Sequence, residues 1–543
     1  MKRYFLAIPA FFIAFQTIAK QPNKVARPKL VVGIVIDQMR WDYLYRFNDL
    51  YGKGGFKRLM KDGFNCQNTM INYLPSYTAP GHSCIYTGSV PSIHGIAAND
   101  WYDNFTGKKV YCTDDTVREI NNGIVGDTSM SPRNLLTTTI TDELRLATNF
   151  RSKVYGVSIK DRGAILPAGH LANGAYWLDD TTGSFCSSTY YKNTNPTWLQ
   201  AFNKRKVADS LVKLTWTLLD PTNKIYTQSL ADDNKYEGKF KGEGAPIFPH
   251  DLNKLRGKDR YNSFKATAGG NYLTLQMAMA CRDGEKLGEG EETDFLAVSF
   301  SSTDYTGHQF SPNSMEVEDA YLRLDMGLAT LLDYLDETVG KGDYTVFLTA
   351  DHGAAHNPQF LIDNGVPAGF VDQDYKKELN AYLDGIYGQK DIVSHFTNYQ
   401  FYLNEGAIKS AVADRNKIKE SIITFLNTKP ELQYVVDMEN MNRTAVPEPI
   451  RTMLVNGYYR GRSGSIEVVP NPGWFEGHSK TGTTHGTWNP YDAHIPLLWY
   501  GWGIPKGETN TVVNMTDISA TLAALLHIQM PNGCIGKPII MTK

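Results

Sequence analysis

The residues Leu30-Val31-Val32-Gly33-Ile34-Val35-Ile36 run without polar interruption and stop at Asp37. Continuous rather than alternating apolarity predicts a strand buried on both faces, as in parallel sheets. The pattern recurs at Ser152–Ile159, which runs into Lys160-Asp161-Arg162, at Asp294–Ser302, and at Tyr344–Ala350, which runs into Asp351. Ile495–Tyr500 gives a further strand. Helical spacing separates these runs at Trp41–Phe47, Gly55–Met60 and Glu318–Val339. In the last of these, Tyr321, Leu324, Leu328, Leu331, Leu332 and Leu335 form one apolar stripe. A final helix begins at Thr516-Asp517-Ile518, with Asp517 suited to cap it. Strands alternating with helices predict an α/β fold, a doubly wound, mostly parallel sheet flanked by helices. Such sheets bind ligands beyond the carboxyl ends of their strands. Two stretches interrupt the rhythm. Gly163 to about Glu292 reads as loop-rich with one helical piece near Ala201–Leu219, and Ala354 to about Glu476 carries amphipathic helices at Tyr375–Tyr387 and Arg415–Leu426. Both are expected to be insertions in one domain spanning 20–543.

The N-terminus adds a compartment. Lys2-Arg3 precedes the apolar run Tyr4–Phe15, and Thr17-Ile18-Ala19 supplies small residues at the right spacing. This predicts a signal peptide cleaved after Ala19 and a periplasmic or secreted protein. The run is too short to span a membrane comfortably. In an oxidising compartment the six cysteines predict disulfides, and no Cys-x-x-Cys suggests a thiolate metal site. A formal net charge of −2 gives no nucleic-acid-binding surface. The oligomeric state is left open, with a monomer as the working expectation.

Three of the strands end in aspartate at or just past the sheet edge: Asp37, Asp304 and Asp351. Carboxylates converging there need cations to offset their repulsion. His308 lies four residues after Asp304, His352 directly follows Asp351, and His485 sits in a Gly/Thr-rich loop. Asp and His together suit zinc. His82, His94, His356, His478 and His494 are read as ordinary core or surface residues. Thr78 precedes Pro80 at the start of a helix-compatible run, where free amides favour an anion. Taken alone, Thr78 reads as an N-cap. Lys160 and Arg162 are two apart, so an extended segment would turn both to one face.

The segments Val35-Ile36-Asp37-Gln38-Met39-Arg40, Tyr77-Thr78-Ala79-Pro80-Gly81-His82, Asp304-Tyr305-x-Gly307-His308, Thr349-Ala350-Asp351-His352-Gly353 and Thr484-His485-Gly486, taken in order, resemble the alkaline phosphatase superfamily. Within it they are most similar to the phosphate-irrepressible bacterial alkaline phosphatases that use a threonine nucleophile. The resemblance implies a zinc-dependent phosphomonoesterase of broad specificity with two zinc ions per chain and a covalent phospho-threonine intermediate. One zinc would be held by Asp37, Asp351, His352 and the Thr78 oxygen, the other by Asp304, His308 and His485. Asn99, Lys160 and Arg162 match the phosphate-binding residues, and small-molecule phosphate monoesters are the implied substrates. Two zincs would offset three aspartates and a Thr78 alkoxide, leaving Lys160 and Arg162 to match a phosphomonoester dianion. The sulfatase signature is absent. A phosphodiesterase or nucleotide pyrophosphatase of the same superfamily is the alternative, though such enzymes lack the Lys-x-Arg pair. An exported, non-enzymatic binding module, suggested by the aromatic-rich insertions, is a reading of another class.

Overall fold

The computed structural model describes residues 25–115, 130–192, 194–371, 374–477 and 479–542. The expected signal peptide and His478 lie outside the described residues.

A nine-stranded sheet organises the chain. Its strands are β1 (Leu30–Ile36), β2 (Phe64–Cys66), β3 (Val154–Ser158), β4 (Gly174–Leu178), β5 (Phe185–Cys186), β6 (Asp294–Phe300), β7 (Tyr344–Thr349), β8 (Leu497–Gly501) and β9 (Gly507–Thr509). Their order across the sheet is β9-β2-β8-β7-β1-β6-β3-β4-β5. β8 and β5 run against the other seven, so the sheet is mostly parallel. β1, β6 and β7 are buried at every residue, as continuous apolar strands must be. β1 lies between the other two, with Val35 paired to both Thr349 and Ser299. Neighbouring strands lie about 4.8 Å apart, so whatever follows these three strands is brought close together.

The helices that matter for the site are α1 (Thr78–Thr87), α2 (Asp161–Ala168), α3 (Ala268–Glu285), α4 (Ser302–Phe310) and α5 (Met315–Leu335). α1 is buried along its whole length. Pro80 sits in its first turn, where no amide donor is missed, and Gly88 closes it in the left-handed conformation. α1 also passes against the end of β7. A Cβ on Gly81 would lie 2.5 Å from the Asp351 carbonyl oxygen and 2.9 Å from its Cα, so only glycine permits this approach. α5 matches the predicted stripe, with Tyr321, Leu324, Leu328, Leu331, Leu332 and Leu335 all buried.

Three expectations need correction. The stretch after Gly163 is not simply loop-rich. It supplies β4 and β5 to the main sheet and the 18-residue α3, which packs on β6 and α5. Short strands set among Gly, Asn and Thr carry too weak a period to be read from sequence. Second, Lys160 and Arg162 do not share an extended face. Lys160 is the last extended residue, and Asp161 opens α2, whose first turn favours an acidic side chain. Third, all six cysteines are among the described residues and none is disulfide-bonded. Cys66, Cys84, Cys186 and Cys281 lie on four different strands or helices and Cys112 and Cys534 outside them; five are buried and serve as small apolar packing groups.

The chain from Ala354 onward builds a second layer. A four-stranded antiparallel sheet (Val393–Thr397, Gln400–Leu403, Ile466–Pro470, Leu432–Asp437) is covered by helices Tyr375–Tyr387 and Arg415–Leu426. It has an apolar core of its own, including Leu379, Leu383, Phe401, Ile418, Ile422 and Val468.

Gly81→Ala is expected to destabilise the protein by about 1–3 kcal/mol through overpacking against backbone. Urea unfolding measures it; an unchanged midpoint would mean that α1 can shift away at no cost.

Candidate active site

Asp37 follows β1 directly, and its N–H donates to the Phe300 carbonyl at 3.0 Å. Asp351 lies two residues past β7, and Asp304 lies in the first turn of α4, which follows β6. All three aspartates are buried. Lys160 joins them from the end of β3, its Nζ 2.8 Å from Asp37 Oδ2 and 2.5 Å from Asp304 Oδ2. His352 Nε2 is 3.5 Å from both Asp37 Oδ1 and Asp351 Oδ2. His308 Nε2 is 3.1 Å and His485 Nε2 3.8 Å from Asp304 Oδ1.

The backbone orients the three imidazoles alike. His308 Nδ1 bonds the Thr483 carbonyl at 2.8 Å, His352 Nδ1 that of Gly353 at 3.0 Å, and His485 Nδ1 that of Ser76 at 2.7 Å. A carbonyl only accepts, so each Nδ1 carries a proton. His352 and His485 are then left with an Nε2 lone pair toward the carboxylates, whereas on His308 burial opposes charge but Asp304 outweighs it and raises the imidazole, favouring its charged form. Metal-ligating histidines are held in this way. His352 and His485 stack with ring centroids 3.4 Å apart, and burial holds both below the usual imidazole range, consistent with neutral rings. His82 differs. It is 3.3 Å from Asp351 Oδ2, but Nδ1 bonds the Thr78 carbonyl and Nε2 bonds Ser299 Oγ, both at 2.9 Å. Both of its nitrogens are occupied within the fold, which suits a core residue. His94, His356 and His494 are likewise bonded within the fold.

The electrostatics ask for more positive charge. Burial, with Asp351 adding to it, pushes the Asp37 carboxyl well above the usual range. Burial acts in the same sense on Asp304, but His308 and Lys160 outweigh it and hold that carboxyl well below. Lys160 is raised: burial opposes its charge, but Asp304 and Asp37 more than offset this. Lys160 meets Asp37 Oδ2 as an ion pair, whereas Asp37 Oδ1 and Asp351 Oδ2 are buried and accept no hydrogen bond among the described residues. Such atoms are costly to leave unmet. Two groups of ligand atoms lie within 4.8 Å of one another: Asp37, Asp351 and His352, and Asp304, His352 and His485. Carboxylate oxygens and Nε2 lone pairs around two adjoining points fit a pair of divalent cations.

Thr78 stands over this centre. It is the first residue of α1, and the N-cap is Tyr77, so the hydroxyl is not a cap. Its Oγ1 lies 3.4 Å from His352 Nε2. Asn99 Oδ1 accepts the Ala79 N–H at 2.9 Å, which fixes that amide beside Thr78. α1 packs on α2, which carries Arg162. Arg162 Nη1 donates to Tyr111 Oη at 3.0 Å, and Tyr111 donates to Asp161 at 2.9 Å. Tyr305 lies between two ammonium groups, 4.9 Å from Lys160 Nζ and 4.8 Å from Lys265 Nζ. Tyr111, Lys265 and the bridging residue Gln38, which bonds both Asp351 and Asp304, have no role in the sequence reading. A cavity of about 540 Å³ lined by Trp216, Phe264, Leu275 and Met326 includes none of the site residues.

Comparison with known proteins gives the chain a family. The profile of the type I phosphodiesterase / nucleotide pyrophosphatase family matches residues 31–492. Alkaline phosphatase PafA of Elizabethkingia meningoseptica is 49% identical over 96% of this chain and 95% of its own, and alkaline phosphatase PhoV of Synechococcus elongatus is 50% identical over 95% and 93%. A Myroides odoratus protein named calcium-transporting ATPase is 50% identical over 97% and 96%. In the present chain no helix among the described residues is long and apolar enough to cross a membrane. A crystal structure of PafA superposes with a TM-score of 0.92 at 48% identity, covering 95% of this chain and 99% of that one. A PafA variant with a threonine, an asparagine, a lysine and an arginine replaced together has also been solved. The chain belongs to the type I phosphodiesterase / nucleotide pyrophosphatase family of the alkaline phosphatase superfamily, among its PafA-like alkaline phosphatases. It is a phosphomonoesterase, and its relatives and donor set imply a metal cofactor.

Asp37→Asn removes one of three clustered negative charges. With chelator present, the variant is expected to resist urea better than wild type by roughly 0.5–2 kcal/mol. With a divalent cation added, the order reverses, because wild type gains more from binding. The same order in both conditions would argue against a cation site at Asp37.

Proposed function

We propose that the protein is a two-zinc phosphomonoesterase of broad specificity in which Thr78 carries the phosphoryl group. The observation that supports this best is the clustering of the Asp37, Asp304 and Asp351 carboxylates with the His352 and His485 imidazoles, with Thr78 Oγ1, at a helix N-terminus, 3.4 Å from His352 Nε2. Asp37, Asp351, His352 and Thr78 would hold one zinc, and Asp304, His308 and His485 the other. Bound there, the two ions would lower the pKa of the Thr78 hydroxyl and offset charge on the phosphoryl and leaving oxygens.

Thr78 Oγ1 forms a bond to phosphorus as the bond to the ester oxygen breaks. The hydroxyl proton passes to water, and the departing alcohol takes a proton from water. A second water then attacks phosphorus, the Thr78–phosphorus bond breaks, and inorganic phosphate leaves. The first amides of α1 favour negative charge at Oγ1 and on the transferring group, against the cost of burying it. The Asn99 amide, Lys160 and Arg162 meet the nonbridging oxygens, Arg162 with a fork of donors and Lys160 as a compact charge. Tyr111 would hold Arg162 for this role. The four residues replaced together in the solved PafA variant are of the same types, in the same chain order, as Thr78, Asn99, Lys160 and Arg162. The N-terminal pattern supports export to the periplasm or beyond.

The family description favours a second reading, hydrolysis of phosphodiesters. Charge separates the two. Lys160→Ala and Arg162→Ala are each expected to cut monoester turnover by about 10²–10³-fold, with a much smaller loss on an aryl diester. Equal losses on both substrates would remove the charge-matching argument, and higher diester than monoester turnover in wild type would favour the second reading. Thr78→Ala should give no phosphorylated protein in acid-quenched samples while still binding zinc. Labelling of that variant would place the nucleophile elsewhere.

A further inference from the structure

Gln38 connects the two cation-binding groups. Its backbone N–H donates to Asp351 Oδ1 at 3.2 Å, and its side-chain Nε2 donates to Asp304 Oδ1 at 2.8 Å. Asp351 belongs to one group of ligands and Asp304 to the other. Gln38 is 3% exposed and follows Asp37, which belongs to the first group. One residue therefore bonds a carboxylate of each group from the centre of the site.

Two backbone features make this reach possible. Gln38 has φ of 64°, in the left-handed region, and this turns its side chain and the following chain away from the direction of the strand, while its N–H meets Asp351 Oδ1. Gly307 on α4 clears the space for the amide. A Cβ there would lie 1.9 Å from Gln38 Oε1. The donors also fix which oxygens remain available. Asp351 Oδ1 takes the N–H groups of Gln38 and His352, at 3.2 and 3.0 Å, and Oδ2 is left without a hydrogen bond. On Asp304, Gln38 holds Oδ1 while Lys160 takes Oδ2.

We infer that Gln38 is a positioning residue for both cation sites: its side-chain amide sets the rotation of the Asp304 carboxylate, and its backbone N–H sets that of Asp351. The inference rests on the two-zinc reading above. Residues that orient metal ligands in this way typically change metal affinity by 10–100-fold when lost.

Two substitutions remove the amide–carboxylate bond by different routes. Gln38→Gly deletes the amide and accepts the left-handed backbone, so the N–H to Asp351 is kept. Gly307→Ala leaves Gln38 in place but pushes its amide off Asp304. Zinc binding to chelator-stripped protein is titrated against a chromophoric chelator for wild type and both variants, with thermal melting of the stripped proteins alongside. The expected result is two binding steps in wild type, and one step weakened 10–100-fold in both variants with the other unchanged. Both steps unchanged in either folded variant, or both weakened equally, would overturn the positioning role. Fewer than two zincs bound by wild type would instead overturn the two-zinc reading itself.

Discussion

Three buried carboxylates at the ends of three adjoining parallel strands dominate the energetics of this fold. Strand spacing draws Asp37, Asp304 and Asp351 together, and burial removes the water that would screen them. The polypeptide offers Lys160 as an internal counter-charge, in contact with two of the three. A single ammonium does not balance three carboxylates. His352 and His485, held by backbone carbonyls and kept neutral by burial, add lone pairs and not charge, and His308 beside Asp304 offsets only part of the imbalance. The surrounding structure serves to hold this imbalance in place, and a cation-dependent phosphoryl-transfer centre follows from it.

Much of this was legible in the chain. The apolar runs that form β1, β6 and β7 are continuous because both faces of each strand are covered, and an aspartate at or just past the end of such a run has few structural uses. The apolar stripe of α5 was equally plain. The structure groups Asp37, Asp351 and His352 at one point and Asp304, His352 and His485 at another, with Thr78 Oγ1 near His352 and with His308 beside Asp304 but in neither group. The distinction between His82 and His352 could not be read from sequence. Both lie near Asp351, and only their hydrogen-bond partners show which has a nitrogen to spare.

Other features were hidden for physical reasons. The Lys160–Arg162 pair was read on an extended geometry, but the chain turns into α2 between the two residues. Lys160 then points to the carboxylates, and Arg162 to Tyr111. The edge strands β4 and β5 are too short for their period to stand out. The part played by Gln38 depends on a left-handed backbone and on a glycine far along the chain. Neither leaves a local pattern. The even number of cysteines suggested pairing, but none of the six is bonded to another.

The layer built after Ala354 has an apolar core of its own on one face and joins the rest of the chain at many points. Tyr77 packs against that core and sits edge-on to His485 at 5.4 Å, and Asn398 bonds the Asp100 carbonyl at 2.8 Å. The layer's other face is shared: Val436 and Val469 of its strands pack in the main core, and Arg462 donates to the Gly95 and Asn134 carbonyls beyond α1. The outer layer is therefore a wall keyed into the sheet, and the two halves have to change in step rather than drift apart.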